Sequence, residues 1–261
     1  MITLSHLKVT FAPGTVMEKQ ALRGVNVKIS EGEFITVIGS NGAGKSTLLN
    51  AIAGEVRSTE GSIHIDDKEV TRLPAYARAD LVARVFQDPL AGTCGDLTIA
   101  ENMALAHRRG QRRGLRKGLS RTDREFYAET LKTLKLGLEN RLDTAMSLLS
   151  GGQRQAVSLL MATLSPLKIL LLDEHSSALD PKTAAFVMKL TEDLVMTKRL
   201  TTLMVTHSLQ QALHSGTRTI MLHEGKVIYD VSGKTRVNLT VPDLLKQFGT
   251  AMDDDRLLLE Q

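Results

Sequence analysis

Two glycine-rich segments hold the residue types best suited to binding a phosphate group. The first, residues 39–46, reads Gly-Ser-Asn-Gly-Ala-Gly-Lys-Ser and fits the pattern G-x-x-x-x-G-K-S/T. An apolar, β-branched run precedes it at 34–38, and a segment with one apolar helical face follows at 46–53. A turn between a strand and a helix directs backbone N–H groups at an anion. The predicted phosphate-binding residues are Gly39, Ser40, Asn41, Gly42, Ala43, Gly44, Lys45, Ser46 and Thr47.

Four polar side chains indicate what chemistry accompanies this loop. Lys45 supplies a charge for β- and γ-phosphates, and the Ser46 hydroxyl is a ligand that suits Mg²⁺. Asp173 and Glu174 follow an aliphatic run that is typical of a buried parallel strand. We expect Asp173 to hold Mg²⁺ through water and Glu174 to polarise an attacking water. The sequence therefore predicts hydrolysis of a nucleoside triphosphate.

The second glycine-rich segment, residues 149–153, reads Leu-Ser-Gly-Gly-Gln. Ser150 and Gln153 have the spacing of a capping box at the start of a helix. A capped helix would not by itself explain Gly151 and Gly152, because glycine lowers helix propensity. Bare glycines at a helix N-terminus present N–H groups to an anion. We therefore expect Ser150, Gly151, Gly152 and Gln153 to contact a phosphate group as well.

Both motifs, in this order, resemble the nucleotide-binding subunit of an ATP-binding cassette (ABC) transporter, and the resemblance covers about residues 1–235. It implies an α/β P-loop NTPase of ABC type, with a mixed sheet core, an antiparallel β lobe and a helical lobe. ATP and Mg²⁺ are the implied cofactors, and ATP hydrolysis coupled to transmembrane transport is the implied activity. Segment 149–153 is implied to cap a triphosphate held by a second copy, so that ATP drives formation of a homodimer.

The resemblance carries three further functional positions onto this chain. Gln87 matches the Q-loop residue that ligates metal and water and senses the membrane partner. Residues 177–180, ending in Asp180, match the D-loop that crosses the dimer interface. A lone histidine after a strand is more often structural, but His207 lies 33 residues after Glu174, where the family has its switch histidine that contacts the γ-phosphate.

Two positions allow more than one interpretation. Phe11 follows the first predicted strand in the register of the adenine-stacking aromatic, which is usually Tyr, and could equally belong to the core. His175 stands where many relatives have Pro, and a local loop variant is favoured over a catalytic role. The string 174–183, together with residues 13–19, is similar to importers served by periplasmic binding proteins and associated with amino-acid-like solutes.

The charge balance is mild, with 33 Lys and Arg against 29 Asp and Glu and a formal net charge of +4. The basic excess lies in a glycine-interleaved segment, 108–117, which is either a solvated loop or a contact for anionic lipid or an acidic partner. No aromatic residue interleaves there, which disfavours nucleic acid as a partner. The single cysteine, Cys94, suits a reducing cytoplasm and is expected to be a small packed thiol.

The resemblance implies one ABC ATPase domain over 1–261. Its parts are a catalytic region (1–87 and 150–235), a helical lobe (88–149) and a short tail (236–261) whose acidic run, 253–255, looks like a frayed end. Predicted strands lie at 2–10, 22–29 and 62–70, with a turn at 66–67, and a hairpin at 219–222 and 226–231. Predicted helices lie at 98–107, 122–136 and 241–248.

No apolar run approaches 18 residues and nothing resembles a signal peptide, so transport requires a separate membrane subunit. The expected partners are a second copy of the chain, integral membrane permease subunits and a periplasmic or lipoprotein solute-binding protein. The expected location is the cytoplasmic face of the membrane. Import is favoured, with an amino-acid-like solute as the associated cargo, and the alternatives are a stand-alone exporter cassette or a non-transport ABC ATPase. The latter usually carries a long coiled coil or two cassettes, and neither pattern occurs here.

Overall fold

The structure is a computed structural model that describes residues 1–111 and 118–249. Most of the basic segment, residues 112–117, and the acidic run 253–255 lie outside the described residues. The chain divides into two compact units, one formed by residues 1–74 with the chain from 201 onward, and the other by residues 75–200.

The strands and helices of the described residues are labelled in chain order. The strands are β1 (Ile2–Phe11), β2 (Lys19–Ile29), β3 (Phe34–Gly39), β4 (Glu60–Ile65), β5 (Lys68–Glu69), β6 (Val82–Val85), β7 (Ile169–Asp173), β8 (Thr202–Val205), β9 (Arg218–His223) and β10 (Lys226–Ser232). The helices are α1 (Lys45–Ala53), α2 (Ile99–His107), α3 (Arg121–Lys132), α4 (Gly151–Ala162), α5 (Pro181–Lys198), α6 (Leu209–His214), α7 (Gly233–Val237) and α8 (241–249).

The first unit contains an antiparallel sheet and a set of mostly parallel strands. The antiparallel sheet has the order β2-β1-β4-β5, and β1 alternates between buried and more exposed residues because one face covers the core. In the second set, β3 runs parallel to both β8 and β9, and β10 pairs antiparallel with β9. Since parallel strands end at the same edge of a sheet, the loops that follow β3 and β8 emerge together.

The second unit combines a parallel strand pair with helices. Strands β6 and β7 pair in parallel, with Val85 opposite Leu172. Helices α2, α3 and α4 enclose a separate apolar core, and its buried side chains include Met103, Tyr127 and Leu160. The loops after β6 and β7 therefore emerge at one edge, as they do after β3 and β8 in the first unit.

Most predicted elements are confirmed, and two predictions are wrong. The predicted helix 122–136 ends at Lys132, because Lys135 adopts a left-handed φ of 54° that no regular helix accepts. Cys94 is exposed instead of packed, since the loop in which it lies runs along the surface. The hairpin turn is built by Glu224 and Gly225, which both have positive φ, as a tight two-residue turn requires.

None of the helices in the described ranges 1–111 and 118–249 is long and apolar enough to cross a membrane.

Candidate active site

The phosphate loop is a compact turn between β3 and α1. A Cβ atom on Gly39 would lie 2.3 Å from the carbonyl oxygen of Leu222, so only glycine fits there. Gly44 has a φ of 99°, and a Cβ atom on it would lie 2.5 Å from the carbonyl oxygen of Ala21. The backbone thus adopts a path that other residues would obstruct, which brings the loop's amide groups to the start of α1.

Lys45 is folded into this loop. Its Nζ donates to the carbonyl oxygens of Gly39 at 2.7 Å and Ser40 at 2.9 Å, and the residue is only 7% exposed. The N-cap of α1 is Gly44, so no side chain caps the first turn of the helix. An ammonium group inside a turn of backbone amides at an uncapped helix N-terminus is an arrangement that fits a polyphosphate.

His207 lies at the same edge of the first unit as the phosphate loop. Val205, near the end of β8, pairs with Val37 of β3, and His207 and Gly39 each lie two residues farther on. The turn around His207 is held by the Thr206 hydroxyl, which donates to Gln211 Oε1 at 2.7 Å. The structure therefore brings the predicted switch histidine to the strand edge that carries the loop.

Beside the loop is a cleft of about 430 Å³, lined by Glu18, Lys19, Gln20, Arg23, Gly42 and Glu224. Phe11, the last residue of β1, is paired with Lys19 across the sheet and is 41% exposed. The interpretation of Phe11 as a core residue is therefore wrong. Its role as an adenine-stacking aromatic stays a prediction, and its strand partner Lys19 lines the cleft.

In the second unit, β7 delivers Asp173 and Glu174 to the edge where Gln87 follows β6. Asp173 Oδ2 forms a 2.6 Å ion pair with Arg84 Nη2. The side chain of Asp173 is 14% exposed and that of Arg84 is 10% exposed. Glu174 has a left-handed φ of 47°. Sequence reasoning missed Arg84, although a charged residue within the apolar β6 was a signal for it.

The Ser177 hydroxyl joins the Q-loop and D-loop residues. It donates to the carbonyl oxygen of Glu174 at 2.8 Å and accepts from Gln87 Nε2 at 3.2 Å. The amide of Ser177 also donates to that carbonyl, at 2.9 Å. The turn that carries Glu174 is therefore attached to the exposed Gln87 side chain through a single hydroxyl.

The signature segment begins α4 with the predicted capping box. Ser150 Oγ accepts from the amide of Gln153 at 3.3 Å, and Gln153 Oε1 accepts from the amide of Ser150 at 3.2 Å. A Cβ atom on Gly152 would lie 2.1 Å from Thr183 Cγ2 of α5. The expectation that a capped helix leaves both glycines unexplained is therefore wrong for Gly152, because the packing of α4 against α5 requires a glycine there.

Asp180 of the D-loop and the nearby His175 both have hydrogen-bond partners within the fold. Asp180 is the N-cap of α5, and its Oδ1 accepts from the amide of Thr183 at 3.1 Å. Hydrogen bonds from the side chain and backbone of Thr183 lower the pKa of Asp180. His175 is buried, its Nε2 lies 2.8 Å from Thr191 Oγ1, and burial lowers its pKa to about 4. These contacts support the interpretation of His175 as a loop variant that anchors the segment after Glu174.

The second unit also has a surface groove of about 770 Å³. Its lining includes Arg84 and Phe86 near the Q-loop, Tyr76, which is 83% exposed, and Leu105 of α2. Arg109 lines it too, and its Nη1 donates to the carbonyl oxygen of Ala162 at 3.1 Å. The interpretation of 108–117 as wholly solvated is therefore wrong for Arg109, whose guanidinium is largely buried against α4.

The family model described as "ABC transporter" matches residues 22–177, which include both glycine-rich motifs and both carboxylates. The chain belongs to the ABC transporter ATP-binding family. Members of this family hydrolyse ATP to power transport, so the predicted enzyme class, ATP binding and fold class are confirmed. The predicted roles of individual site residues stay predictions.

The similarity extends over most of each compared chain. A tyrosine transport ATP-binding protein of Clostridioides difficile (strain R20291) is 44% identical, over 97% of this chain and 100% of the relative. The thiamine import ATP-binding protein ThiQ of Yersinia pseudotuberculosis serotype I (strain IP32953) is 34% identical, over 78% of this chain and 82% of its own. The dimeric structure of the bacterial ABC transporter cassette MJ0796 is 33% identical with a TM-score of 0.76, covering 89% of this chain and 98% of that one.

Proposed function

We propose that this chain is the ATP-hydrolysing subunit of an importer for an amino-acid-like solute. ATP hydrolysis is supported chiefly by the position of Lys45, whose ammonium group lies in the turn before an uncapped helix, where a polyphosphate fits. The solute class rests on similarity to a tyrosine transport ATP-binding protein over nearly the whole chain. The import direction is also the one named for the thiamine-import relative.

Each site residue has a role in this proposal. Lys45 and the amides of the phosphate loop bind the β- and γ-phosphates, and Ser46 and Asp173 hold Mg²⁺. A hydroxyl, a carboxylate and phosphate oxygens are the hard oxygen ligands that suit Mg²⁺. When bound, Mg²⁺ neutralises charge on the phosphates.

The catalytic roles fall to three further side chains. Glu174 accepts a proton from the attacking water as general base. Gln87 orients that water and ligates the metal, and its hydrogen bond to Ser177 ties it to the Glu174 turn. His207 contacts the γ-phosphate from the loop after β8.

A second copy of the chain completes the site in this proposal. The start of α4 presents Ser150, Gly151 and Gly152 to a triphosphate bound by the partner copy. Support comes from MJ0796, whose cassette forms dimers, one of them in a post-hydrolysis state with ADP and Pi, at 32% identity and a TM-score of 0.75.

The membrane partner is proposed to be a permease subunit that places a cytoplasmic segment in the groove of the second unit. The groove is lined by exposed Tyr76 and Leu105, which offer apolar contacts that a solvated surface does not need. Docking there would place the cassette at the cytoplasmic face of the membrane. A periplasmic or lipoprotein solute-binding protein would deliver the cargo, and no nucleic acid takes part.

Glu174→Gln tests the catalytic assignment. It removes the base and leaves the phosphate loop intact, so hydrolysis should fall by about 10²-fold or more while ATP affinity stays unchanged. Turnover and equilibrium ATP binding are measured on the same preparation. The matched control is Glu129→Gln, the same change on an exposed residue of α3. Near-normal turnover of Glu174→Gln would refute the role of Glu174.

The permease contact is tested with Tyr76→Ser and Leu105→Ser. Each should reduce recovery of the cassette with membranes that contain the cognate permease, and neither should alter the ATPase activity of the free subunit. Met196→Ser, at an exposed apolar residue of α5 that does not line the groove, is the control. Equal recovery of all three variants and the unaltered protein would refute the groove as the docking site.

A further inference from the structure

We propose that Arg84, a positioning residue that acts through its ion pair with Asp173, competes with the divalent cation for that carboxylate. This inference rests on the proposed function, in which Asp173 is the Mg²⁺ carboxylate. Arg84 does not touch the nucleotide in this account. It acts through Asp173.

An ion pair and a stacking contact hold the guanidinium of Arg84. The residue lies on β6 opposite Leu171 of β7, the strand that ends in Asp173. Its Nη2 lies 2.6 Å from Asp173 Oδ2. The guanidinium also stacks over the ring of Phe86, with 4.6 Å between Cζ and the ring centroid. Both side chains of the ion pair are nearly excluded from solvent, so the pair is weakly screened.

Phe86 is itself held in place by a residue of α4. Its carbonyl oxygen accepts from Gln155 Nε2 of α4 at 3.1 Å, and Gln155 is fully buried. The residue that follows Phe86 is the predicted metal and water ligand Gln87. Arg84 and Phe86 both line the groove proposed above for the permease. The ion pair is thus built into the structure around the Q-loop and is not a chance surface contact.

The ion pair has a direct electrostatic consequence for metal binding. A cation that approaches Asp173 meets the positive charge of Arg84 already in contact with Oδ2, and like charges at short range in a weakly screened site repel. Arg84 therefore holds Asp173 Oδ2 in the ion pair and would lower the affinity of this carboxylate for the cation. Removal of the charge should strengthen cation binding, whereas a purely structural residue would weaken it when removed.

The test is Mn²⁺ binding in the presence of ADP, followed by electron paramagnetic resonance, which reports the bound cation without any turnover. Arg84→Gln and Arg84→Met both remove the charge, one with a polar and one with an apolar side chain, so that failure of one to fold leaves the other to decide. Circular dichroism and gel filtration check the fold. Each is expected to lower the Mn²⁺ concentration for half-saturation by about tenfold.

Two further variants make the outcome specific. Arg124→Gln breaks an exposed ion pair of the same length, Arg124 Nη2 to Asp143 Oδ2 at 2.6 Å, and should leave Mn²⁺ affinity unchanged. Phe86→Leu removes the ring beneath Arg84 and should strengthen Mn²⁺ binding by a smaller factor. A tighter site in the Arg84 variants alone, with a graded effect of Phe86→Leu, supports the proposal.

Asp173→Asn separates this inference from the proposed function. If Asp173→Asn weakens Mn²⁺ binding but the Arg84 variants bind Mn²⁺ as the unaltered protein does, or more weakly, the role of Arg84 is overturned and that of Asp173 stands. If Asp173→Asn leaves Mn²⁺ affinity unchanged, the metal assignment in the proposed function fails, and this inference fails with it.

Discussion

The two glycine-rich turns of this chain both lead into helices, but their first turns are completed in different ways. Helix α1 has Gly44 as its N-cap and no capping side chain, and Lys45 donates back to the loop carbonyls. Helix α4 has a full capping box in which Ser150 and Gln153 satisfy each other's amides. The first turn of α1 has no side-chain cap, whereas the signature turn satisfies the amides of Ser150 and Gln153 with its own side chains.

Gly42 of the phosphate loop and Gly152 of the signature turn are required for different reasons. Gly42 has a φ of 82° and no atom within 4 Å of an added Cβ, so its requirement is conformational. Gly152 has helical geometry and is required by the packing of Thr183 against it. We infer that the signature turn is preformed within each copy, whereas the phosphate loop is finished only by the anion that it binds.

Lys45→Ala should have the largest effect on the phosphate loop. It removes the charge inside the phosphate loop, and ATP affinity should fall by about 10²-fold, as expected for loss of charge-assisted hydrogen bonds. Ser150→Ala in the signature turn should leave ATP affinity of the monomer unchanged. Fluorescent ATP-analogue titration of dilute protein measures both. Equal losses in the two variants would show that the turns are not different in kind.

Gly152→Ala should destabilise the protein by about 1–3 kcal/mol, the usual cost of overpacking. The added methyl group would overlap Thr183 Cγ2. Adding Thr183→Ser to Gly152→Ala removes that atom, so the double variant should regain stability. Gly151→Ala is the matched control, because its Cβ would lie 3.3 Å from the flexible end of Leu179. Urea unfolding gives the free energy of unfolding of the unaltered protein, Gly152→Ala, the double variant and Gly151→Ala. No rescue by Thr183→Ser would contradict the packing explanation.

Ser150→Ala removes the α4 cap and should lower the free energy of unfolding by about 1 kcal/mol. Ser150→Thr keeps a hydroxyl at the same position and should retain most of that stability. The melting temperature, read by circular dichroism, distinguishes them. An alanine variant as stable as the unaltered protein would mean that the capping box does not stabilise the signature turn.

The smallest effect concerns pH. The backbone and hydroxyl of Ser120 hydrogen-bond to Asp123 in the α3 capping box and lower its pKa below 3.8. A depressed carboxyl pKa stabilises the fold above the unfolded pKa, and this is lost as pH falls through the folded value. The melting-temperature penalty of Ser120→Ala should therefore be equal at pH 7 and pH 5 and smaller below about pH 3.8.

The capping box of α4 contains the neutral Gln153 instead of a carboxylate, so its contribution to stability does not depend on pH. Ser150→Ala should keep its melting-temperature penalty across the same pH range. A penalty of Ser150→Ala that shrinks in acid as that of Ser120→Ala does would contradict the assignment of the two boxes.

The sequence allowed prediction of features that depend on near neighbours. The phosphate loop, the α4 capping box and the turn at Glu224 and Gly225 each follow from a few consecutive residues. The Arg84–Asp173 ion pair depends on the register of β6 against β7, and the contact of Gly152 with Thr183 depends on how α4 packs on α5. The early end of α3 could not be predicted because Lys135, which is not glycine, takes the left-handed conformation.

A mixing experiment tests whether ATP bound by one copy is contacted by the signature turn of the other. Lys45→Ala disables the phosphate loop and Gly151→Asp disables the signature turn, so each variant alone should hydrolyse ATP poorly. In a mixed dimer, one composite site contains neither lesion, and hydrolysis should rise well above the sum of the two separate preparations. Unaltered protein at the same total concentration serves as the reference. If the mixture is no more active than that sum, under conditions in which the unaltered protein hydrolyses ATP as a dimer, the active site is not assembled from two copies.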